Sequence, residues 1–522
     1  MILGDTRTEP VQATTLDDLF RRTAARRPDA IALADPPDRE SFTDGPPRRL
    51  TYAETDRIVS AIATRLRALG LQTDALIGIQ LPNTVESVLT VLGVLRAGMI
   101  AVPLPLLWRR ADAAIALGRL GAKAIITASR IGDFDACAMA MQVAADVFPI
   151  RHVCGFGQNL PDGVMAFGDL LHQAPTESST EVGRDGNPAA HIALVTFDVT
   201  PHGLVPVARN HAELIAGGRA TLLEGGIEPD ACMLGCCATG SFAGVALAIM
   251  PWLLSGGTLS LHHGFDADTF AAQCRDDRCD TVMVPGAVVP QLAEAGLLAH
   301  GALKNVIGVW RAPERLMAST VWQHPTAKLT DMMVFGETAL IGSRRDATGL
   351  PIPLPAFAVT APRDSTHAVP VVDIARTATS TMALRGPMVP RHPFPPGAER
   401  LAAPHLKADA EGFVDTGYPC RIDRMVGTLT VTAPPPGVIN VGGYHFVLGE
   451  LEDLVRRVNA DAFVTALPDA LAGQRLAGIS GGHGDVRAAL TEFGVNPLIA
   501  DAFQDRRPEA AGVVDEALMA DA

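Results

Sequence analysis

The sequence contains very little lysine. Only Lys123, Lys304, Lys328 and Lys407 occur among 522 residues, and the formal net charge is −14 at pH 7. A nucleic-acid-binding surface needs a basic face, so that class of partner is excluded. The chain also has no uninterrupted apolar run of ~18 residues and no basic-then-apolar leader, which are the signals of a membrane span and of secretion. We therefore expect a cytoplasmic protein with no membrane partner.

Eight cysteines do not make a disulfide scaffold in a chain of this length. Cys232, Cys236 and Cys237 cluster, and Cys274 and Cys279 form a second, looser group. Neither spacing matches a standard zinc-binding pattern, and the surrounding sequence is apolar. Free cysteine packs as a small apolar residue, so we predict buried structural thiols and no metal site.

Strand-like and helix-like segments alternate through the first half of the chain. Ala75 to Leu81 is apolar enough for a buried strand, Asn83 is a candidate cap for the helix that follows, and Ile100 to Leu104 predicts the next strand. An apolar helix is predicted from Ala243 to Leu254. Repeated strand–helix units predict a parallel sheet covered by helices, which is an α/β fold. The length exceeds that of a single ordinary core, so at least two domains are expected.

The stretch from Leu194 to His211 is predicted to form a strand, a loop and a second strand, with Asn210 as the N-cap of a helix. The loop contains one glycine, Gly203, one central hydroxyl, Thr200, an acidic Asp198 and no lysine. Loops that bind phosphate use glycines for close backbone approach, hydroxyls as donors and lysine for charge. This segment therefore has the strand–loop–strand arrangement of a phosphate-binding loop but lacks most of the glycines, hydroxyls and lysine that bind phosphate.

Short motifs in a fixed order resemble those of a known family. They are Leu50-Thr51-Tyr52, Leu81-Pro82-Asn83, Leu95 to Leu104, Val284-Pro285-Gly286, Phe335-Gly336-Glu337-Thr338, Leu384 to Val389, Gly412 to Gly417, Gly442-Gly443 and Glu450-Leu451-Glu452. In order and spacing they are similar to the adenylate-forming superfamily, which comprises acyl-CoA and aryl-CoA synthetases, adenylation domains of peptide synthetases and firefly luciferase. The resemblance runs from about residue 15 to residue 490.

The resemblance implies an α/β fold with a large N-terminal region and a small C-terminal domain. Residues 1–433 are expected to contain two doubly wound sheets and a distorted β-barrel. Residues 434–437, Pro-Pro-Pro-Gly, are the expected hinge. Residues 438–522 are the expected α+β C-terminal domain, which is shorter than is usual in the family.

The resemblance also assigns positions to a nucleotide and acyl pocket. These positions are Thr200, Arg209, His211, Cys237, Trp310, Arg311, Phe335, Gly336, Glu337, Thr338, Thr416 and Tyr418. Trp310 and Arg311 stand where the family has two small residues between the adenine and the acyl group. An indole there would fill the adenine slot, and the guanidinium would hold a carboxylate or a CoA phosphate.

Five sets of ATP-binding groups depart from the family. Val205 stands at the phosphate-loop lysine, Ala339 at the Mg²⁺-binding glutamate and Tyr418 at the ribose-binding aspartate. Pro434 replaces the arginine before the hinge, and no lysine follows Lys407 to act at the C-terminal lysine position. Loss of one preorganised electrostatic group typically costs ~10²–10³ in rate. No residue is therefore assigned a catalytic role.

Three functions remain open. In the first, the chain is an acyl-CoA synthetase-like homologue, deficient in adenylation, that binds a small carboxylic acid or an acyl-CoA and acts by binding or regulation, with a protein partner or a second copy left open. In the second, it is an active, atypical acid–thiol ligase that uses ATP, Mg²⁺ and CoA, with Arg209 and Arg311 replacing lysines. In the third, an enzyme of another class uses Cys237 as nucleophile and His262 or His263 as base.

Overall fold

The computed structural model describes residues 14–172, 185–362, 368–481 and 485–504. The strands in these ranges are β1 (Ile31–Ala34), β2 (Arg49–Thr51), β3 (Leu76–Gln80), β4 (Ile100–Pro103), β5 (Ala124–Ala128), β6 (Arg130–Ile131), β7 (Phe134–Asp135), β8 (His152–Phe156), β9 (Val164–Ala166), β10 (Ile192–Thr200), β11 (Gly203–Asn210), β12 (Cys232–Gly235), β13 (Thr258–Leu261), β14 (Thr281–Pro285), β15 (Asn305–Trp310), β16 (Lys328–Phe335), β17 (Ala339–Arg344), β18 (Leu354–Pro355), β19 (Ala358–Ala361), β20 (Val369–Arg376), β21 (Thr381–Arg385), β22 (Val414–Asp423), β23 (Thr428–Val431), β24 (Val438–Val441), β25 (Tyr444–Val447), β26 (Ala462–Asp469) and β27 (Gly473–Ser480). The α-helices are α1 (Leu16–Arg26), α2 (Tyr52–Ala68), α3 (Val85–Arg96), α4 (Arg110–Leu120), α5 (Ala136–Asp146), α6 (His211–Gly225), α7 (Phe242–Gly244), α8 (Met250–Ser255), α9 (Ala267–Asp276), α10 (Val289–Glu294), α11 (Leu448–Val458), α12 (Val486–Phe493) and α13 (Pro497–Ala500).

Two mostly parallel sheets form the larger part of the protein. One has eight strands in the order β17-β16-β15-β14-β12-β13-β1-β2, and the other has seven in the order β11-β10-β4-β3-β5-β8-β9. The outer strands β17, β2 and β11 pair antiparallel with their neighbours. Helices connect the parallel strands, because parallel neighbours need a long crossover between them. The two expected doubly wound sheets are therefore confirmed.

The remaining two large sheets are antiparallel. Six strands in the order β18-β23-β22-β21-β20-β19 follow at the place expected for the distorted barrel. Four strands in the order β25-β24-β27-β26 lie between Val438 and Ser480, with Val455 of α11 and Leu490 of α12 in their separate apolar core. A large N-terminal part and a smaller C-terminal part are thus present, whereas the exact boundary and the hinge at 434–437 stay a prediction.

Capping groups explain where two of the helices begin. Asn210 caps α6 as predicted, because its Oδ1 accepts a hydrogen bond from the backbone N–H of Glu213 at 2.8 Å, and the Glu213 carboxylate returns one to the N–H of Asn210. The prediction that Asn83 caps the next helix is wrong. The first N–H of α3, on Val85, donates to Oδ1 of Asp35 instead. The Asn83 side chain donates to two carbonyl oxygens at the carboxyl ends of β12 and β13.

The predicted apolar helix after β12 contains a wide turn. It runs from Phe242 to Ser255, and its middle residues Val245–Ile249 are π-helical. Both of its ends pack on α6: a Cβ at Gly217 would lie 2.9 Å from the Phe242 ring, and one at Gly218 would lie 2.3 Å from Cβ of Met250. Within the described ranges, no helix combines the length and the apolarity needed to cross a membrane.

Candidate ligand site

The hairpin of β10 and β11 lies at the centre of the site. The two strands pair as far as Thr200 and Gly203, so the turn consists of residues 201–202. Thr200 Oγ1 donates to the carbonyl oxygen of Gly203 at 3.1 Å, and Val205 lies opposite Asp198 in the ladder. A closed ladder engages the backbone N–H groups that an open glycine-rich loop would present to phosphate.

Asp198 connects this hairpin to the turn between β16 and β17. Its Oδ2 accepts a hydrogen bond from the backbone N–H of Glu337 at 3.0 Å. The approach is possible because Gly336, at φ +52°, has no side chain, and a Cβ there would lie 2.4 Å from the same oxygen. Burial, and then the charge of Glu337, raises the pKa of Asp198 to about 7. The site therefore contains a carboxyl group that holds its proton in part at neutral pH.

The Glu337 side chain is buried beside the start of α7. Its Oε2 accepts a hydrogen bond from the backbone N–H of Phe242 at 2.7 Å. Burial raises the pKa of Glu337, and the charge of Arg209 opposes that shift. Glu337 is therefore committed to a backbone donor of its own chain.

Ala339, at the position that the resemblance gives to the Mg²⁺ ligand, is fully buried and pairs with Phe335 in the ladder between β16 and β17. Among the residues that the structure describes, no three histidine, cysteine, aspartate or glutamate side chains are grouped as a metal site requires. The methyl group of Ala339 can supply no oxygen ligand to a hard cation.

Arg209 holds the turn between β16 and β17 through its guanidinium. Its Nη2 donates to the carbonyl oxygens of Glu337 and, at 3.1 Å, of Thr338, and its guanidinium carbon lies 3.6 Å from the centre of the Phe242 ring. Burial lowers the pKa of Arg209 to about 10, against the opposing charge of Glu337. The guanidinium is thus used in a cation–π contact and two carbonyl bonds. Its role is to hold the turn.

Tyr418 packs against the aromatic residue of the same motif. The rings of Tyr418 and Phe335 meet edge to face, with their centres 5.5 Å apart. Tyr418 is 2 % exposed, and burial raises the pKa of its hydroxyl. An aromatic pair of this geometry is stabilising beyond its buried area. The Phe335 ring therefore packs against Tyr418, which stands at the position that the resemblance gives to the ribose-binding residue.

Trp310 is fixed on both sides of its indole. Its Nε1 donates to Oδ1 of Asp331 at 2.8 Å, and Asp331 also pairs with Arg345 at 2.8 Å. A Cβ at Gly286 would lie 2.3 Å from the indole ring, so the ring is in direct contact with that backbone. Trp310 is buried and does not face solvent.

Arg311 lies where the N-terminal part meets the β24–β25 turn. Its Nη2 donates to Oγ of Ser241 at 2.6 Å, and a Cβ at Gly443 would lie 2.5 Å from its Cδ. Two small cavities, of about 110 Å³ and about 80 Å³, are both lined by Arg311, Cys237 and Gly443. Asp198 lines the larger cavity and Trp310 the smaller one. Arg311 is thus the cationic group shared by both cavities.

Cys237 is not prepared for nucleophilic attack. Burial raises the pKa of its thiol, although the charge of Arg311 opposes the shift. His262 Nδ1 lies 3.0 Å from Oε1 of Gln273, and His263 Nδ1 accepts a bond from the backbone just before α3. Both imidazoles have a lowered pKa because they are buried. The structure therefore gives the candidate bases other partners and keeps the thiol protonated.

Two further positions assigned by resemblance make structural contacts. His211 Nδ1 accepts a hydrogen bond from the backbone N–H of Leu16 at 3.2 Å, at the start of α1. Thr416 Oγ1 donates to the carbonyl oxygen of Met382 at 2.6 Å. These contacts hold α1 against α6 and strand β22 against β21.

The sequence did not single out the C-terminal residues that close the site. The Tyr444 hydroxyl accepts a hydrogen bond from the backbone N–H of Leu107 at 3.2 Å. Asn440 Nδ2 donates to the carbonyl oxygen of Arg311 at 2.7 Å and lies 2.9 Å from Nε2 of His445. Burial and the charge of Arg311 lower the pKa of His445 to about 4. The available signal was the glycine pair Gly442-Gly443 between Asn440 and Tyr444, which lets the turn approach Arg311.

Comparisons with known proteins agree with the geometry of the fold. A family model described as AMP-binding enzyme matches residues 20–182. The salicyl-AMP ligase / salicyl-S-ArCP synthetase of Mycobacterium tuberculosis is 31% identical over 34% of this chain, and the match spans 30% of the ligase, less than a third of its length. The salicylyl-CoA synthase / salicylate adenylyltransferase of a Streptomyces species is 25% identical, with 90% of this chain and 86% of the relative covered.

Among solved structures, an amide bond synthetase from Marinactinospora thermotolerans is similar over 92% of this chain and 94% of its own, with a TM-score of 0.69 and 20% identity. That likeness concerns the fold. The family model matches residues 20–182, and the salicylyl-CoA synthase matches most of the chain at lower identity. These matches support membership of the adenylate-forming superfamily.

Proposed function

We propose that this chain binds a small carboxylic acid or acyl group beside Arg311 and does not form an acyl-adenylate. The observation that carries the proposal is the bond between Asp198 and the Gly336–Glu337 backbone. The Asp198 carboxyl occupies that backbone N–H, its ionised form repels the polyphosphate of ATP, and Val205 opposite it supplies no cation. The electrostatics of this turn therefore oppose nucleotide binding.

The aromatic contacts support the same proposal. Tyr418 packs on Phe335 and Trp310 packs on Gly286, and both rings stand at positions that the resemblance gives to the nucleotide and acyl pocket. A nucleotide would have to displace a buried indole whose N–H bonds Asp331. Breaking such a buried bond leaves a carboxylate short of a donor, which costs about 1–3 kcal/mol.

Arg311 supplies the anchor for the ligand. Its guanidinium can hold a carboxylate through two parallel hydrogen bonds, a geometry that lysine does not provide. The larger cavity of about 110 Å³ is somewhat smaller than a cavity of roughly 150 Å³ that admits benzene. A short acyl group fits there, and a single ring is the upper limit for the part of the ligand held in this cavity.

The alternative function is that of an active ligase. It is favoured by the name of a relative matched over 86% of its length, which is a salicylyl-CoA synthase / salicylate adenylyltransferase. It needs cations for phosphate, and Arg209 is engaged by two carbonyl oxygens and a ring. Arg311 lines both cavities, and Arg315, which lines the smaller one, donates to the carbonyl oxygens of Ala470 and Leu471.

Calorimetric titration distinguishes the two functions. We expect no heat of binding with Mg·ATP, no acid-dependent exchange of labelled pyrophosphate into ATP, and binding of a member of a panel of short-chain and single-ring carboxylates and their acyl-CoAs. Arg311→Gln should abolish the carboxylate signal. Arg385→Gln, which removes a guanidinium paired with Asp373 on the antiparallel sheet, is the matched control and should leave the signal unchanged. Micromolar Mg·ATP affinity, or pyrophosphate exchange, would establish the ligase instead.

A further inference from the structure

Two cysteines outside the cavities lie side by side. The Sγ atoms of Cys232 and Cys279 are 4.0 Å apart, and both thiols are free. Cys232 begins β12, and Cys279 lies in the turn between α9 and β14. The backbone N–H of Asp280 donates to the carbonyl oxygen of Cys232 at 2.9 Å, which fixes the two segments next to each other. The pair therefore meets at a place where the backbone is already joined.

We propose that Cys232 and Cys279 form a reversible disulfide when the protein meets a hydroperoxide. A disulfide needs sulfur atoms ~2.05 Å apart, so the pair has about 2 Å to close. Rotation of both side chains can bring the two sulfur atoms together. The backbone at Cys279 can also adjust, because Cys279 lies in a turn and not in a strand. This oxidation site is separate from the proposed ligand site and goes beyond that function.

The surroundings of the two thiols divide the roles between them. Cys232 is half-buried, with its Sγ 3.2 Å from the carbonyl oxygen of Asp277, whereas Cys279 is buried, so a small oxidant reaches Cys232 more readily. The hydrogen bond with Cys232, together with burial, raises the pKa of Cys279 well above its ordinary value. Cys279 thus keeps its proton, and Cys232 is the thiol that reacts first.

The chemistry balances with a hydroperoxide as the oxidant. The Cys232 thiolate attacks one peroxide oxygen, the O–O bond breaks, and Cys232 becomes a sulfenic acid while the second oxygen leaves as water or an alcohol. The Cys279 sulfur then attacks the Cys232 sulfur, the S–O bond breaks, and the hydroxide leaves as water with the proton of Cys279. The protein loses two hydrogen atoms overall, and a thiol reductant restores both cysteines.

Neighbouring cysteines provide competing outcomes within the same protein. Cys274 is buried next to Cys279, whose backbone N–H donates to the Cys274 carbonyl oxygen at 3.0 Å. Cys236 and Cys237 follow β12, and burial raises the pKa of both thiols. The 4.0 Å separation between the Sγ atoms of Cys232 and Cys279 favours that pairing over these others.

Peptide mapping after limited oxidation tests the proposal. The folded full-length protein is treated with equimolar hydrogen peroxide, alkylated and cleaved on the N-terminal side of aspartate. Cleavage before Asp266, Asp268, Asp276, Asp277 and Asp280 places Cys232, Cys274 and Cys279 on three different peptides. We expect a cross-linked species that joins the peptide starting at Asp230 to Asp277-Arg278-Cys279, and its loss on treatment with dithiothreitol.

Three variants assign the bond and control for folding. Cys232→Ser and Cys279→Ser should each abolish the cross-link, while Cys137→Ser, which changes a buried thiol in the seven-stranded sheet region, should retain it. The peptide that starts at Asp230 also contains Cys236 and Cys237, so fragment ions of the wild-type species locate the bond at Cys232, and a misfolded variant does not decide the matter. A cross-link to Cys274, oxidation of Cys232 to sulfinic acid without a cross-link, or no reaction in the folded protein would each overturn the proposal.

Discussion

Replacing Asp198 by asparagine should stabilise the protein at alkaline pH and have little effect at acid pH. Asparagine keeps an oxygen that can accept the hydrogen bond from the Glu337 N–H, which in the native protein is 3.0 Å long. It removes the ionisation, which burial and the charge of Glu337 make unfavourable in the folded state. The change therefore isolates the cost of a buried negative charge at the turn.

The sign and size of the effect follow from the pKa shift. The pKa of Asp198 rises from 3.8 to about 7 on folding, so between these values the unfolded chain has released a proton that the folded chain still holds. The contribution of Asp198 to stability is complete below pH ~4 and is lost as the pH rises to about 7. A shift of about three units corresponds to an upper bound of ~4 kcal/mol in the free energy of unfolding.

Urea unfolding of both proteins at a series of pH values between 4 and 8 measures this difference. The two free energies of unfolding should agree near pH 4 and separate progressively, with the Asp198→Asn protein more stable near pH 8. Asp162→Asn, at an exposed position, is the matched control and should show no such separation. Parallel curves, or a variant that is less stable at pH 8, would refute the reasoning.

Three further predictions concern neighbouring features. Gly336→Ala should lower the free energy of unfolding by ~2–4 kcal/mol, since residue 336 has a positive φ and the new Cβ would meet the Asp198 carboxylate. Chemical denaturation should show a smaller loss when the same change is made in the Asp198→Ala background. Equal losses in the two backgrounds would contradict the contact. Trp310→Phe removes the donor to Asp331 and should lower the free energy of unfolding by ~1–3 kcal/mol. Thermal unfolding measures this loss, with Trp322→Phe as the comparison variant, since the Trp322 indole donates to a carbonyl oxygen. Brief proteolysis should cut first at residues 434–437 if these form the hinge, and a first cut within either flanking part would place the boundary elsewhere.

The local signals in the sequence were sufficient for the framework of the fold. The β10–β11 hairpin and the Asn210 cap depend on contacts between residues close in the chain, and both are present. The Asn83 cap was predicted wrongly because the amide has long-range partners at the ends of β12 and β13. A local rule cannot weigh a competing partner that only the folded sheet supplies.

The site depended more heavily on distant contacts. The bond between Asp198 and Glu337 joins residues 139 positions apart, and no spacing in the sequence indicates it. The sequence allows Arg209 as a replacement cation for phosphate, yet the fold brings two carbonyl oxygens and the Phe242 ring to its guanidinium. Residue types identified the unusual positions, while their partners followed from the packing of β10, β16 and α7.

The π-helical segment Val245–Ile249 gives the site an unusual dependence on chain length. An α-helix turns by ~100° per residue, so deleting one residue from the wide turn would rotate Phe242 relative to Met250 by about that angle. Phe242 would then leave Gly217, and its ring and N–H would no longer face Arg209 and Glu337. A one-residue deletion inside an apolar helix would thus misalign the polar turn without altering any polar residue. In variation among related chains, the length of this segment and the polar residues of the turn should change together.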